Sequence, residues 1–392
     1  MSRARLDVVV AGGGVVGAAC ALALAQAGLA VALVEPQPAP RWSAQEPDLR
    51  VFALAPDSVA LLQRMGVWPR VLAARAQAYR RMRVWDAAGR GELQFDAASM
   101  ARDALGWIVE NAVLVDRLWS ALAAAGVRLH CPARVEAMEQ DAAGVRLRLD
   151  DGLRLDARIA VAADGAGSVL RRLAGVEVDA HDYRQRGVVG YVRAAEPHQD
   201  TAWQRFLPGG PLALLPFTDG LVSIVWSLPD AEAARVLALD DAGFAIALTD
   251  ASAARLGSLV PVSARAAFPL RRQLVRRQAA GRVLLLGDAA HVVHPLAGQG
   301  VNLGLRDVAA LAAEIEAAGR RRSDWTAPHR LQRWARRRRS DNTVSALAFE
   351  GIDRLYSNDR PLATLVRGPL LGLAGKLPPL RHALWRHAAG DP

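Results

Sequence analysis

LDVVVAGGGVVGAACALALAQAGLAVALVE, residues 6–35, decides how the rest of the chain is read. An apolar run, a glycine cluster, an alanine- and leucine-rich stretch of helical length and a second apolar run follow one another, which spells strand, turn, helix, strand. Such a βαβ unit carries a parallel sheet. Gly12, Gly14 and Gly17 stand at GxGxxG spacing, and Glu35 follows Gly17 by 18 residues at the end of the second strand. The first glycine permits the tight turn, the second lets the backbone approach a pyrophosphate, and the third lets helix and strand pack closely. An acidic residue at the second strand end accepts from ribose hydroxyls. Gly12, Gly14, Val16, Gly17 and Glu35 are therefore candidate dinucleotide-binding residues, and this unit alone leaves NAD and FAD both open.

Two further loops narrow the choice. GDAAHVVHPLAGQGVNLGLRD, residues 287–307, follows the apolar run RVLLL, which reads as a buried strand. Gly287 lets a ligand approach the backbone, and Asp288 is placed to accept from sugar-alcohol hydroxyls. His294-Pro295 stiffens the turn, and Gly298-Gln299-Gly300 opens a helix with Val301, Leu305, Val308, Ala309 and Ala312 on its apolar positions. Free N–H groups at that helix start favour an anion, or a ring that becomes anionic on reduction. Asp164-Gly165-Ala166-Gly167-Ser168, after the run IAVAAD, is another glycine-punctuated turn, or an ordinary turn with Ser168 as N-cap. Three nucleotide-type loops together favour a large bipartite ligand such as FAD.

At 392 residues the chain is long enough for two or three folding units. Its 52% hydrophobic and 22% charged composition is that of a soluble globular enzyme, which sets aside disorder. The formal charge of +10 does not by itself point to nucleic acid, because Lys376 is the only lysine and the arginines are scattered. No aromatic-basic motif accompanies them. The denser runs Arg320–Arg322 and Arg336–Arg339 read as solvated helix faces, with contact to a membrane or partner as the alternative. No GxxxxGK[ST] loop is present. Cys20 and Cys131 are too few for a disulfide framework or a cysteine-ligated cluster, so a reducing, cytoplasmic setting is expected. The short stretch before Leu6 leaves no room for a signal sequence, and Ala18–Val34 is too glycine-interrupted for a membrane span.

The expected fold class is α/β: a Rossmann-type FAD-binding domain with an inserted, mainly antiparallel β-sheet substrate domain and a helical C-terminal tail. Residues 1–75, 101–180 and 276–327 are assigned to the FAD-binding domain, 76–100 and 181–275 to the substrate domain, and 328–392 to the helical region. A loop from Asp48 leads into a helix around Ser58–Met65, a second helix covers 112–125, and 133–140 with 144–150 reads as a hairpin. Residues 186–228 hold four strand-like runs separated by Gly, Pro and Asp. Trp203, Phe217 and Trp226 on that sheet are candidates to line an apolar substrate pocket, with core packing as the stronger reading. His291, His294 and Asp307 are read as structural, and no metal site is expected.

DGAGSVLR at 164–171, GD at 287–288 and HPLAGQGVNLGLRD at 294–307 resemble the motifs of the group A flavin-dependent aromatic hydroxylases. The last is similar to that of the ubiquinone-biosynthesis hydroxylases, as are LGWIVENAVL at 105–114 and WQRFLPGGPLALLPF at 203–217. The likeness runs over roughly residues 6–357, with Gly167 departing from the family's usual asparagine. It implies that Gly12, Gly14, Gly17 and Glu35 hold the ADP half of FAD, and that Arg50 reaches the flavin or pyrophosphate. Asp164 belongs to the second FAD loop, and Gly287 and Asp288 bind the ribityl chain and pyrophosphate. Pro295, Gly298, Gln299, Gly300, Val301 and Asn302 border the isoalloxazine ring. No catalytic side chain is assigned, since the flavin carries the chemistry: reduced by NAD(P)H or a protein electron carrier, it reacts with dioxygen to a C4a peroxide that hydroxylates a polyprenylated phenol. Other ubiquinone-biosynthesis proteins are implied as partners. A lipid substrate suggests peripheral contact with the inner face of the membrane, aided by the basic, apolar tail Leu365–Arg386. The competing readings are a flavoprotein reductase or oxidase acting on another lipid or aromatic compound, and a non-catalytic FAD-bound scaffold.

Overall fold

The computed structural model describes residues 5–87, 91–293 and 299–356. The tail prolines and Leu365–Arg386 lie outside the described residues.

Helix Val15–Gln26 is apolar all round and buried over most of its length, as a helix between a sheet and other helices must be. It can lie against the first strand because Gly17 lacks a side chain, since a Cβ there would stand 2.0 Å from the Gly12 carbonyl oxygen. Five strands run parallel in the order Val283–Leu285, Arg154–Ala162, Leu6–Ala11, Val31–Val34, Arg128–His130. The continuous apolar sequences of Leu6–Ala11, Val31–Val34 and Val283–Leu285 fit strands covered on both faces, whereas Arg128–His130 at the edge is largely exposed. The expected hairpin, Val135–Gln140 with Val145–Leu149, extends this sheet antiparallel from Arg154–Ala162.

The second sheet has nine strands, with the order His291–Val292, Ala266–Val275, Val178–Ala194, Leu221–Pro229, Leu212–Pro216, Thr201–Phe206, Arg81–Asp86, Glu92–Asp96 along its main path. Among the described residues it is antiparallel apart from the pairing of Thr201–Phe206 with Arg81–Asp86. The stretch around Asp48–Leu54, expected as loop, contains a strand at Val51–Leu54 that joins Gly106–Glu110 and Gln77–Tyr79 in a small third sheet. His291–Val292 sits in the segment assigned to the FAD-binding domain, yet it pairs with the edge of the second sheet.

Register decides what each face of the second sheet meets, because directly paired residues share a face. Trp203, Leu214, Ile224, Leu212, Trp226 and Val188 fall on one face. Helices Asp230–Leu237 and Asp241–Ala251 cover it through Ala233, Val236, Phe244 and Leu248. Tyr191, Leu215 and Ser223 fall on the opposite face. That face packs through Tyr191, Phe217 and Leu221 against Ile108, Val51 and Ala53 of the third sheet. At the C-terminal end, helices Gln299–Arg320 and Pro328–Tyr356 follow one another. Among the described residues no helix is long and apolar enough to cross a membrane.

Candidate active site

In a parallel sheet every strand delivers its following loop to the same edge, and ligands bind outside those carboxyl ends. Ala11 leads to Gly12, Val34 to Glu35, Ala162 to Asp164 and Leu285 to Gly287, so the loops singled out in the sequence converge. Gly12 has φ +100°, and a Cβ on it would lie 2.3 Å from the Ala163 carbonyl oxygen, so the first and second loops touch where only glycine fits. Gly287 has φ +56° and packs on Val16, whose side chain also fills the space left by Gly304. Val16 is thus the spacer between the first and third loops. Gly14, by contrast, has open space where its Cβ would be and starts a 12-residue helix that no side chain caps. The Glu35 carboxylate accepts from Gly13 N–H at 2.6 Å and Gln37 N–H at 2.9 Å. Trp119 donates its indole N–H to the Gly13 carbonyl at 2.7 Å.

Asp288 is solvent-accessible. Burial among the surrounding loops nevertheless raises its pKa, with His291 and Arg50 pulling the other way. Arg50 lies near enough to Asp288 to favour its charged form, and its guanidinium lies 5.4 Å from the ring centre of Phe268 on the second sheet. The loop carrying Arg50 is held from beneath. Asp48 donates its N–H to the fully buried Glu110 at 2.8 Å, and Tyr191 donates its hydroxyl to the Asp48 carbonyl at 2.7 Å. Burial raises the Glu110 pKa, while the Asp48 N–H, Arg75 and Trp42 favour its charged form.

Other expected residues have roles that their types alone did not disclose. One Asp164 oxygen accepts from the hydroxyl of Ser168, the N-cap of helix Val169–Leu173, and the other accepts from Val169 and Leu170 N–H at 2.8 and 3.1 Å. The capped-helix reading of 164–171 is the one these bonds show, with Ser168 as N-cap accepting from Arg171 N–H at 3.0 Å. Asn302, expected beside a flavin ring, is fully buried; its side chain donates to Ala53 O and accepts from Ala55 N–H and Ser58, stapling the long helix to residues 53–58. Val301 is part of the main core. Gln299 and Gly300 open helix Gln299–Arg320 as expected, and Pro295 and Gly298 lie outside the described residues.

Trp203 and Trp226 require a correction. They lie on the helix-covered face of the second sheet, so packing takes the place of the pocket role expected for them. Phe217 is on the opposite side, with its ring 4.8 Å from that of Tyr191.

Three contributors were missed in the sequence. Trp119 braces Gly13 from helix Asn111–Leu122, and Arg171 bridges the second and third loops by donating to Ala166 O and Ala289 O at 2.8 and 3.0 Å. Arg338 is buried inside the run Arg336–Arg339, correcting its reading as solvated face. Leu331, Trp334, Ala335 and Arg338 share i, i+3, i+4, i+7 spacing, the signal that would have found it.

The residues present fit a dinucleotide. Gly14 leaves an open helix start, Gly165 (φ +80°) leaves a second open position, and the buried Nδ1 of His291, close to Asp288, has no hydrogen-bond partner among the described residues. Fold and loops together define an FAD-binding oxidoreductase of the Rossmann type. The chain belongs to the FAD binding domain family, which matches residues 5–340. It is 36% identical over 392 residues to the 3-demethoxyubiquinol 3-hydroxylase of Escherichia coli K12, covering 100% of both chains. To the ubiquinone hydroxylase UbiL of Rhodospirillum rubrum it is 35% identical, covering 98% of this chain and 89% of the relative. Its fold matches p-nitrophenol 4-monooxygenase PnpA of Pseudomonas putida DLL-E4 with a TM-score of 0.78, 20% identity and coverage of 99% and 98%. The chain is therefore an FAD-dependent aromatic-ring monooxygenase of the ubiquinone hydroxylase type.

Proposed function

We propose that this chain hydroxylates the aromatic ring of a polyprenylated phenol or quinol on the route to ubiquinone, consuming dioxygen and electrons from NAD(P)H or a protein carrier. The observation that supports this reading is the convergence of three nucleotide-type loops at the carboxyl edge of the parallel sheet. When bound, FAD supplies the activation of dioxygen, and the protein supplies position, charge and dryness.

Each part has named residues. The Gly12–Gly17 turn and the start of helix Val15–Gln26 offer N–H groups to the pyrophosphate, with Glu35 at the ribose. Asp288 accepts from the sugar-alcohol chain, and Arg50 places a cation between that chain and Phe268. The N-terminus of helix Gln299–Arg320 favours negative charge on a reduced ring. On the second sheet, Ala213, Leu215 and Val225 remain half-buried and Phe268 is 39% exposed, an apolar surface suited to a phenol ring with a lipid tail. Phe217, packed behind Tyr191, shapes its inner end.

The test is reconstitution with FAD, a polyprenylphenol, a reductant and isotopically labelled dioxygen. Substrate-stimulated reductant oxidation with one labelled oxygen in the product is expected. Reductant oxidation that releases only peroxide, whatever phenol is offered, would overturn the reading. Liposomes added to the full chain test whether the lipid substrate is met at a membrane surface, and co-sedimentation is expected.

A further inference from the structure

Asp307 is fully buried. A carboxylate taken out of water is costly unless paired and hydrogen-bonded on all sides, and this one is. One oxygen accepts from the Gly287 N–H at 3.1 Å and from His291 Nε2 at 2.6 Å. The other accepts from Arg338 Nε at 2.8 Å and from Asn342 Nδ2 at 3.2 Å. Arg338 closes the ring by donating through Nη2 to Asn342 Oδ1 at 2.9 Å. One side of the carboxylate therefore holds the turn that presents Asp288, and the other is held by helix Pro328–Tyr356.

The turn has little freedom to compensate. Gly287 is in the left-handed region, and Val16 stands 3.1 Å from where its Cβ would be. Its N–H direction fixes where the next residue points. His291 adds a second constraint, because its backbone pairs with Leu274 at the edge of the second sheet. The same carboxylate thus joins the third loop, the second sheet and the C-terminal helix.

We propose that Asp307 is a positioning residue of the cofactor site, and that Arg338 and Asn342 extend that site onto the C-terminal helix by holding Asp307 charged and in place. The inference rests on the FAD site but not on the substrate, so its failure would leave the hydroxylase reading intact. Without Arg338, Asp307 loses its guanidinium partner, and the Gly287–Asp288 turn loses a fixed anchor. The consequence is read in cofactor affinity. Lysine would restore charge but not the planar fork that serves Asp307 and Asn342 together.

The experiment titrates FAD into the full-length apoproteins of the parent, R338A, R338K and N342A, and records thermal midpoints with and without FAD. The expected result is an FAD dissociation constant raised about tenfold or more in R338A, partly recovered in R338K and raised a few-fold in N342A. The midpoint gained on adding FAD should shrink in the same order. A purely structural role for Arg338 would lower both midpoints equally and leave the dissociation constant of the folded protein unchanged, and that outcome would overturn the proposal. If R338A does not fold, N342A decides alone: unchanged FAD affinity in that variant overturns the proposal, and weakened affinity supports it.

Discussion

Gly13 donates its backbone N–H to the Glu35 carboxylate at 2.6 Å, tying the turn after the first strand to the end of the second. Glu35 therefore holds the shape of the glycine turn, in addition to the ribose contact proposed for it. Glu35→Ala removes both contributions. A hydrogen bond to a charged group contributes about 1.5–3 kcal/mol, so FAD affinity should fall at least roughly tenfold, with Glu35→Gln falling less because it keeps an acceptor. Fluorescence titration of the apoproteins checks this, and equal affinity in all three would remove Glu35 from the site.

Trp119 sits on the other side of the same residue, with Cζ2 only 2.4 Å from where a Gly13 Cβ would be. Gly13→Ala must push the indole ring aside and break its bond to the Gly13 carbonyl. Trp119→Phe preserves most of the ring packing and removes only the donor. We expect Trp119→Phe to cost on the order of 1 kcal/mol in urea denaturation, and Gly13→Ala to cost more and to purify with less flavin. A Gly13→Ala protein as stable and as yellow as the parent would contradict this packing.

Asp288 and Asp164 end neighbouring strands, and the structure separates their duties. Asp164 is committed to the start of a helix, one oxygen on its N-cap Ser168 and the other on two of its N–H groups, whereas Asp288 is exposed at the sheet edge. Asp288→Ala should purify without flavin and keep a thermal midpoint near that of the parent apoprotein. Asp164→Ala should lose about 1–2 kcal/mol of stability from the lost cap. Full flavin retention by Asp288→Ala would withdraw it from cofactor binding.

The first βαβ unit was legible because its signals are local: a glycine at each tight approach, apolar runs of strand length, and an acid at the second strand end. The faces of the second sheet were not. In LVSIVWSL nearly every residue is buried, so the alternation that would separate an inner face from an outer one is erased. Only the register, with helices Asp230–Leu237 and Asp241–Ala251 on one side, places Trp203 and Trp226 together and Phe217 opposite. Asn302 was not legible as a staple, because its partners lie about 250 residues away in sequence. Arg338 was hidden by the arginines around it, whose charge pattern obscured the helical spacing it shares with Trp334.

That separation of faces can be tested by a contrast. Trp203 packs edge-on against Trp85, with ring centres 6.1 Å apart, and lies under the Arg83 guanidinium. Trp203→Leu should lower stability by about 1–3 kcal/mol and leave KM for the phenol unchanged. Phe217→Leu should raise KM several-fold at a smaller stability cost, because it alters the inner end of the apolar surface. The reverse pattern, with KM responding to Trp203 and not to Phe217, would exchange the faces.

Acid stability reports on Asp307. Burial alone would raise its pKa, but His291 and Arg338 outweigh burial and hold it at about 2. Besides these two partners it faces the Gly287 N–H, Asn342 and the Cys20 thiol, whose own pKa burial and then Asp307 push up to about 12. An unfolded aspartate titrates near pH ~3.9, so the folded group is the stronger acid. Its contribution is complete above about pH 4 and is lost as the pH falls through about 2, on the order of 2 kcal/mol. Asp307→Asn cannot show that dependence, and it leaves His291 and Arg338 without their shared anion, at a cost of about 3 kcal/mol or more near neutrality. The stability gap between parent and variant should therefore be widest at neutral pH and narrow below about pH 4. Urea midpoints measured across this range decide it, and a gap constant with pH would show that the carboxylate's charge contributes nothing.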